Sequence, residues 1–571
     1  MGERFEISPW YAALGAATLS GLVLWLSGQV GLAEAALGLA TAIVAGRFAR
    51  MLASGRFTVD LLMAVVGAVT LLHGAVFEGL VVLLLYSAAE VVEELVESLA
   101  KKRIVGLGGL IPRRVLVERG DGWREAGIED LRRGDVILVR VGEAFPADSI
   151  ALSKGSVDLS IVSGEPLPVR VEPGTLVPSG AVVVEGPVKA RVAAEPGESF
   201  AQRLARLAEE ALERKARTTR LLERLTPHIT VAVLASYALA HVLLDPLRGL
   251  TLLLVGCPSA FIISSSYATS LAIAFSARRG ALIGGGEVLE KLWRPSVVVL
   301  DKTGTLTVLE PESIEVRGGD PGSVVERIAA AARASRHPVA RALARLAPTL
   351  AVEEVREKVG EGLVSGSLTI TAGPTLECGK TVLARVDGSE ALVCLRERPA
   401  PGARELVEYL KRRGVRVVIA SGDSVENVAR IAGELGVDEY YGGMRPEDKA
   451  RLVESLKRQG TVVFVGDGVN DAPALAAADV GIAVGDIDIA RRVADAAAPA
   501  GAWQVLEILK AGESHRRALA ASFTVAAIVK AAAGVGGLAG ALSLPIVALL
   551  GDDGSTLAGV ASATLAWRGR R

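Results

Sequence analysis

Cysteine is scarce in this chain of 571 residues: there are three, Cys257, Cys378 and Cys394, widely spaced. Such spacing proposes neither a disulfide framework nor a thiolate metal knuckle. Asparagine is scarcer still, with only Asn427 and Asn470, which fits a thermophilic source. Neither sign of charge is in excess. The 63 Lys and Arg against 64 Asp and Glu leave a net charge of -1, so nothing points to a nucleic-acid partner. The opening stretch MGERFEISP is too polar and too short for a cleavable secretory signal.

What is present is a mixture. Hydrophobic residues make up 50% and charged residues still 22%, with a mean hydropathy of +0.41. Membrane spans joined to soluble domains account for both numbers. The length alone requires several domains, since single cores stop growing near roughly 250–300 residues. Apolar runs at 10–30, 31–53, 60–72, 78–95, 228–244, 250–277, 518–541 and 544–567 give an expectation of eight spans. Arg47, Arg50 and Arg56, then Lys101, Lys102 and Arg103, then Arg278 and Arg279, and finally Arg568, Arg570 and Arg571 mark cytoplasmic ends. Both termini are therefore expected inside. His73, His228, His241 and His515 fall near span ends and read as interfacial residues.

The stretch that organises the rest is VVVLDKTGTLT, 297–307. Four apolar residues, three of them β-branched, read as a short buried strand ending on Asp301. Open α/β sheets present their chemistry at the carboxyl ends of strands. A carboxylate there, beside a hydroxyl-rich glycine turn, suits a nucleophile that accepts a phosphoryl group. A strand followed by a polar turn also occurs in many α/β domains, so the longer string decides. Residues 301–307, DKTGTLT, resemble the signature of P-type ATPases.

Further motifs extend the resemblance over nearly the whole chain. Residues 113–195 form short β-rich segments punctuated by Gly and Pro, as in a small soluble β domain. Within them Ser163-Gly164-Glu165 resembles the TGE loop of the family's actuator domain. The resemblance implies that Glu165 orients the water that hydrolyses an aspartyl phosphate. An Arg/Glu-rich helix at 200–225 leads back to the membrane with a solvated face. Two more strands end at Ser421-Gly422-Asp423, resembling TGD, and at Gly466-Asp467-Gly468-Val469-Asn470-Asp471, resembling GDGxND. Three acidic loops at three strand tips describe a haloacid-dehalogenase-type sheet.

The resemblance implies that Asp301, within the motif carrying Lys302, attacks the γ-phosphate of ATP. Asp301, the Thr303 carbonyl and Asp467 would hold Mg²⁺. Thr305, Ser421, Gly422 and Lys449 would neutralise the transferred phosphoryl oxygens, with Asn470 and Asp471 positioning the site. In the inserted module, Ser335-Arg336-His337-Pro338 and Gly360-Glu361-Gly362 resemble the nucleotide motifs of the heavy-metal branch. His337 would stack on adenine, and Gly360 and Gly362 would admit ribose and phosphates. Three positions depart from the family's pattern. Ala332 stands where relatives carry glutamate, and Glu397 and Ala400 stand where they tend to have Asp and Arg. Loose nucleotide binding is the expectation.

Cys257-Pro258-Ser259, within the sixth span, resembles the CPx motif of heavy-metal pumps, usually CPC. Proline frees backbone carbonyls within the membrane, and a broken helix there is where transport sites form. Lys530 and Asp552 lie in the last two spans, and intramembrane charges default to function. Asp552-Asp553-Gly554-Ser555-Thr556 resembles the D-x-G-x-T site of zinc, cadmium and lead exporters, with Lys530 as the built-in counter-ion. Cys257 and Asp552 would bind Zn²⁺, Cd²⁺ or Pb²⁺, with Ser259 a poorer ligand than a second thiolate. Glu78 either receives the departing ion or is an interfacial glutamate. Asp553 is either a second ligand or a solvated cap.

The implied fold is a multi-domain membrane protein. It comprises an eight-helix transmembrane domain, a β-rich actuator domain, a haloacid-dehalogenase-type α/β phosphorylation domain and an inserted α+β nucleotide-binding domain. The expected division is helices 1–4 at 1–110, actuator at 111–200, and linker with helices 5–6 at 201–280. The phosphorylation domain follows at 281–309 and 398–512, interrupted by the nucleotide-binding domain at 310–397, with helices 7–8 at 513–571. The implied protein is a monomeric exporter in the plasma membrane, without the Cys-x-x-Cys metal-binding domain many relatives carry in front. A copper(I) or other-cation pump is the rival within transport, and a membrane-anchored haloacid-dehalogenase phosphatase the rival outside it.

Overall fold

The computed structural model describes residues 8–55, 58–105, 112, 114–120, 122–159, 168–243, 245–335, 338–347, 355–358, 362–373, 380–467, 471–485 and 494–568. Four helices open the chain: α1 (Pro9–Leu26), α2 (Val30–Ala53), α3 (Asp60–Leu72) and α4 (Val76–Val105). Their cores meet through small residues. A Cβ on Gly67 of α3 would sit 2.3 Å from the Thr41 hydroxyl of α2, so only glycine permits that approach.

Two short sheets follow. One has six strands in the order Gly122–Gly127, Arg114–Arg119, Val136–Val139, Val188–Val192, Ser149–Ala151, Leu176–Val177; the other has three. The alternation of buried valines with exposed charges along these strands closes one core around Phe145, Ile137 and Val183.

Helix α5 (Phe200–Glu213) leads back to the membrane and is separated from α6 (Arg217–Leu243) by Arg214, Lys215 and Ala216, where a single linker helix was expected. Helices α7 (Pro246–Val255) and α8 (Ser259–Arg278) divide the sixth expected span at Gly256, Cys257 and Pro258. The final pair is the 37-residue helix Ala502–Leu538 and the run Leu544–Ala548, Leu549–Gly554, Ser555–Arg568, whose middle segment is a π-helix.

Among the described residues, six helical stretches are long and apolar enough to cross a membrane: Pro9–Leu26, Val30–Ala53, Phe200–Leu243, Pro246–Arg278, Ala502–Leu538 and Leu544–Trp567. Helix α3, with 13 residues, is only about 20 Å long, short of a hydrocarbon core of roughly 30 Å. Large apolar side chains such as Val23, Leu26, Leu239, Val242, Ile528 and Leu565 are exposed on these helices, as lipid-facing residues are.

A seven-stranded sheet carries the nucleophile candidate. Its order is Leu282–Ile283, Ala496–Ala498, Val480–Val484, Val462–Gly466, Val297–Asp301, Arg416–Ala420, Glu439–Tyr441, parallel except for the first strand. Val297–Asp301 lies near the middle and is buried along its whole length, which explains its unbroken apolar run. Between Thr307 and Pro399 the chain builds a six-stranded antiparallel sheet flanked by the helices Pro321–Ala332 and Pro338–Leu343.

Cys394, in the strand Ser389–Pro399, is disulfide-bonded. One expectation is corrected. His515 is not interfacial but fully buried in the helix Ala502–Leu538.

Candidate functional site

Parallel registry brings the three acidic loops to one edge. Val297–Asp301 pairs on one side with Arg416–Ala420 and on the other with Val462–Gly466, so the residues after each strand face a common space. Lys449, from the helix Pro446–Leu456, closes it: its Nζ donates to Asp301 Oδ1 at 2.5 Å and to Asp471 Oδ1 at 2.7 Å. Asp471 can lie over the strand tip because residue 466 is glycine. A Cβ there would stand 2.3 Å from Asp471 Oδ2. Gly304, at φ 78°, lets the chain turn directly behind Asp301.

The electrostatics of this space are unbalanced. Burial, then the Asp471 charge, push Asp301 up to about 7 against the pull of Lys449. Burial likewise raises Asp471. Burial alone would lower Lys449, but Asp301 and Asp471 outweigh it and hold the ammonium charged. One lysine therefore does not neutralise Asp301, Asp467 and Asp471, and that donor set of hard oxygens fits a divalent cation such as Mg²⁺. The Thr305 hydroxyl is buried with no hydrogen-bond partner. An orphaned donor beside the nucleophile fits an anionic oxygen not otherwise supplied.

Lys302 turns the other way. Completely buried, it pairs with Glu397 and, at 2.9 Å, with Asp423 Oδ2. Burial would raise Asp423, but Lys302 outweighs it and holds that carboxyl below its ordinary value. The Thr307 hydroxyl reaches Glu397 Oε1 at 2.6 Å, and Arg430 stands 3.8 Å from Glu397. Glu397 thus gathers Lys302, Thr307 and Arg430, the last carried by the helix Val425–Leu435. The Ser421 hydroxyl accepts from the Asp423 N–H at 3.2 Å, capping the second loop, and Gly422 lies against the Met444 carbonyl.

A second constellation lies between the helices. The break from α7 to α8 presents Cys257, whose thiol donates to Ser259 Oγ at 3.2 Å, and Ser259 in turn donates to Asp552 Oδ1 at 2.9 Å. Lys530 donates to the Gly551 carbonyl at 2.9 Å and stands 3.6 Å from Asp552. Sulfur, hydroxyl, carboxylate and ammonium, drawn from three separate chain segments, form one connected chain. Glu78 is half-buried in the first turn of α4, and Asp553 is half-buried beside Asp552.

A third cluster escaped the sequence reading. Arg47 of α2 pairs with buried Asp60 at 2.8 Å and stands 3.8 Å from Glu90 of α4. Tyr86 donates to Asp60 at 2.7 Å, and Tyr11 donates to Glu90. The available signal was charge inside apolar helices, which counts toward function by default. Ser163, Gly164, Glu165, His337, Gly360 and Asn470 lie outside the described residues. Pro338 opens its short helix, and Gly362, at φ 97°, begins the strand Gly362–Ser365, where a Cβ would collide with the Ile370 carbonyl.

A strand-tip acid and lysine cluster, on a sheet continuous with membrane-spanning helices, defines an enzyme that handles phosphoryl groups at a membrane. Residues 295–479 match the haloacid dehalogenase-like hydrolase family, and residues 109–209 match the P-type ATPase actuator domain. Zinc/cadmium/lead-transporting P-type ATPases from Escherichia coli (strain K12) and Shigella sonnei are each 36% identical over 565 residues, covering 91% of this chain and 76% of theirs. A probable cobalt/nickel-exporting P-type ATPase from Mycolicibacterium smegmatis is 30% identical, covering 96% and 92%. A crystal structure of a zinc-transporting PIB-type ATPase in the E2.Pi state superposes with a TM-score of 0.55 at 32% identity, over 99% of this chain and 100% of that one. The chain belongs to the P-type ATPases, the ATP-driven ion transporters.

Proposed function

We propose that this P-type ATPase exports a borderline or soft divalent metal ion, with Zn²⁺, Cd²⁺ and Pb²⁺ as the substrate class, through a phosphorylated Asp301. The observation that carries the reading is the intramembrane chain Cys257–Ser259–Asp552–Lys530 at a broken helix. A thiolate and a carboxylate suit Zn²⁺, and the thiolate selects against hard ions. Lys530 is the tethered cation that returns to Asp552 when the ion leaves. The substrates in the relatives' names support the same class.

Asp301 attacks the γ-phosphate of ATP, and Thr305, Ser421, Gly422 and Lys449 take up the charge on its oxygens. Lys302 acts from behind, held by Glu397 and Asp423 so that its positive charge stays at the strand tip. Asp301, the Thr303 carbonyl and Asp467 are the ligands we assign to Mg²⁺, which when bound offsets the negative charge gathered there; Asp471 and Asn470 position them. Glu165 of the actuator orients the water that later cleaves the aspartyl phosphate. His337, Pro338, Gly360 and Gly362 form the nucleotide face.

In this reading the chain has eight spans, with α3 and α4 as the third and fourth, and is divided at the boundaries its motifs set. Both termini are cytoplasmic, and the protein works as a monomer in the plasma membrane. Glu78 lies on the way out.

The deciding experiment is ATPase activity of the purified protein with Zn²⁺, Cd²⁺, Pb²⁺, Co²⁺ and Cu⁺ at elevated temperature. Stimulation by one of the first three, abolished in Asp552→Ala, is expected. Stimulation by Cu⁺ alone, or by none, would overturn the metal assignment.

A further inference from the structure

Two of the five histidines in the chain meet. His73 caps the C-terminal end of α3 and His241 lies in the last turn of α6, with ring centres 5.9 Å apart and planes at 76°. Both side chains are exposed. They stand at the end of the helices where α3 turns into α4 and α6 into α7. That end is opposite the one from which α4 leads into the first β sheet and α5 leads back. In a pump driven by cytoplasmic ATP, it is the exit side. Glu78, in the first turn of α4, belongs to the same end.

Each imidazole has one nitrogen engaged and one left over. His73 Nδ1 lies 3.0 Å from the Val69 carbonyl oxygen, which fixes the proton on Nδ1 and leaves the Nε2 lone pair free. His241 Nδ1 lies 3.2 Å from the Tyr237 hydroxyl, itself packed edge-on against the ring. With Nδ1–H donated to the phenol oxygen, His241 Nε2 is free as well. Two imidazoles sharing one Zn²⁺ through bonds of about 2.0–2.1 Å place their ring centres roughly 5–6 Å apart. The observed separation is within that range. The terminal torsion of each ring is broad, so an arriving ion can re-aim an Nε2, loosening that ring's Nδ1 contact as it does so.

We propose that His73 and His241 form a two-imidazole site for a borderline divalent metal ion at the exit mouth, completed by water. The site captures the exported ion after it leaves Asp552 and, when the outer concentration is high, holds it there and slows turnover. The proposal rests on the export reading for its role, but the binding itself does not.

The test uses the full chain carrying Cys257→Ala and Asp552→Ala, so that the intramembrane site is disabled, with Zn²⁺ as the probe in equilibrium dialysis. Zn²⁺ retained by this chain should bind on the order of tenfold more weakly, or worse, when His73→Gln or His241→Gln is added. Unchanged binding in both would reduce the pair to a ring contact and overturn the site. In sealed vesicles with ATP outside, Zn²⁺ trapped in the lumen should slow the unmutated pump more than the His73→Gln pump; equal inhibition would overturn the exit role. The two readings fail separately. Absence of any metal stimulation in the unmutated protein defeats export while the dialysis result stands, and normal stimulation with unchanged dialysis defeats only the histidine pair.

Discussion

At the scale of single residues, Asp301 is poised against its own ionisation. Its carboxyl sits at about 7 in the fold against 3.8 when free, because it is buried beside Asp471. Between those values the folded protein holds a proton that the unfolded chain has released, so stability falls as pH rises, with the full cost present above about 7. Asp301→Asn is therefore expected to abolish the acid-stable phosphoenzyme and yet raise the thermal midpoint of the Mg²⁺-free protein at about pH 8. That gain should shrink toward pH 5; the same gain at both pH values would refute the assignment of the strain to this carboxyl.

Gly466 makes a second residue-scale case. Because a Cβ would press on Asp471 Oδ2 at 2.3 Å, Gly466→Ala should lower ATPase activity by about a hundredfold or more, the usual effect of shifting a catalytic group by an ångström. Activity within a few-fold of normal would show that Asp471 tolerates displacement. Ser259→Cys should raise Cd²⁺ and Pb²⁺ stimulation relative to Zn²⁺, since a second thiolate softens the ligand set. Unmoved ratios among the three ions would take Ser259 out of the ion's shell.

At the scale of elements, the helix Ala502–Leu538 links the catalytic sheet to the membrane. Its buried His515 accepts from Trp293 Nε1 at 3.0 Å and donates Nε2–H to Thr269 of α8 at 3.1 Å, while the Thr269 hydroxyl is spent on the Ser265 carbonyl. Trp293 lies four residues before the strand Val297–Asp301, and α8 begins at Ser259. His515→Phe leaves the half-buried Trp293 donor without an acceptor, a loss of about 1 kcal/mol in stability. Denaturant titration should register it, and the ratio of metal-stimulated to basal ATPase should fall. A fall in stability with that ratio intact would make the tie purely structural.

The same helix shows what the sequence could and could not reveal. Strand-tip motifs are legible because phosphoryl transfer demands particular residues in one unbroken string, as in Asp301 to Thr307. Cys257, Lys530 and Asp552 were legible as charge and proline out of place in apolar runs, though not the hydroxyl of Ser259 joining them. Arg47, Asp60 and Glu90 were not, because each alone passes for an interfacial residue until helices α2, α3 and α4 pack. His515 failed for the same reason: its partners, Thr269 and Trp293, lie more than two hundred positions away. The bounds of α3 were read correctly, but the separation of α5 from α6 was missed because hydropathy measures runs and does not see breaks.

At the scale of the whole molecule, the actuator and the module between Thr307 and Pro399 already touch: Arg333, at the end of the helix Pro321–Ala332, donates to the Gly174 carbonyl at 2.9 Å. In the proposed cycle, dephosphorylation brings the actuator's own loop to Asp301 instead. Glu165→Gln should therefore let phosphoenzyme accumulate under Zn²⁺ and ATP, seen as acid-stable label that decays slowly on a chase. Decay at the normal rate would remove Ser163-Gly164-Glu165 as the hydrolytic loop.

One further consequence comes from the unbroken length of Ala502–Leu538. Glu507 binds Arg279 at the end of α8, and Lys530 faces Asp552 across 3.6 Å. The two positions lie roughly 35 Å apart along one rod, so a tilt of about 5° pivoting at Glu507 would carry the lysine about 3 Å. That sweep is comparable to the whole gap it must open or close. In the proposed cycle, a small angular adjustment at the sheet end of this helix is geared up, by lever length alone, into making or breaking the Lys530–Asp552 contact.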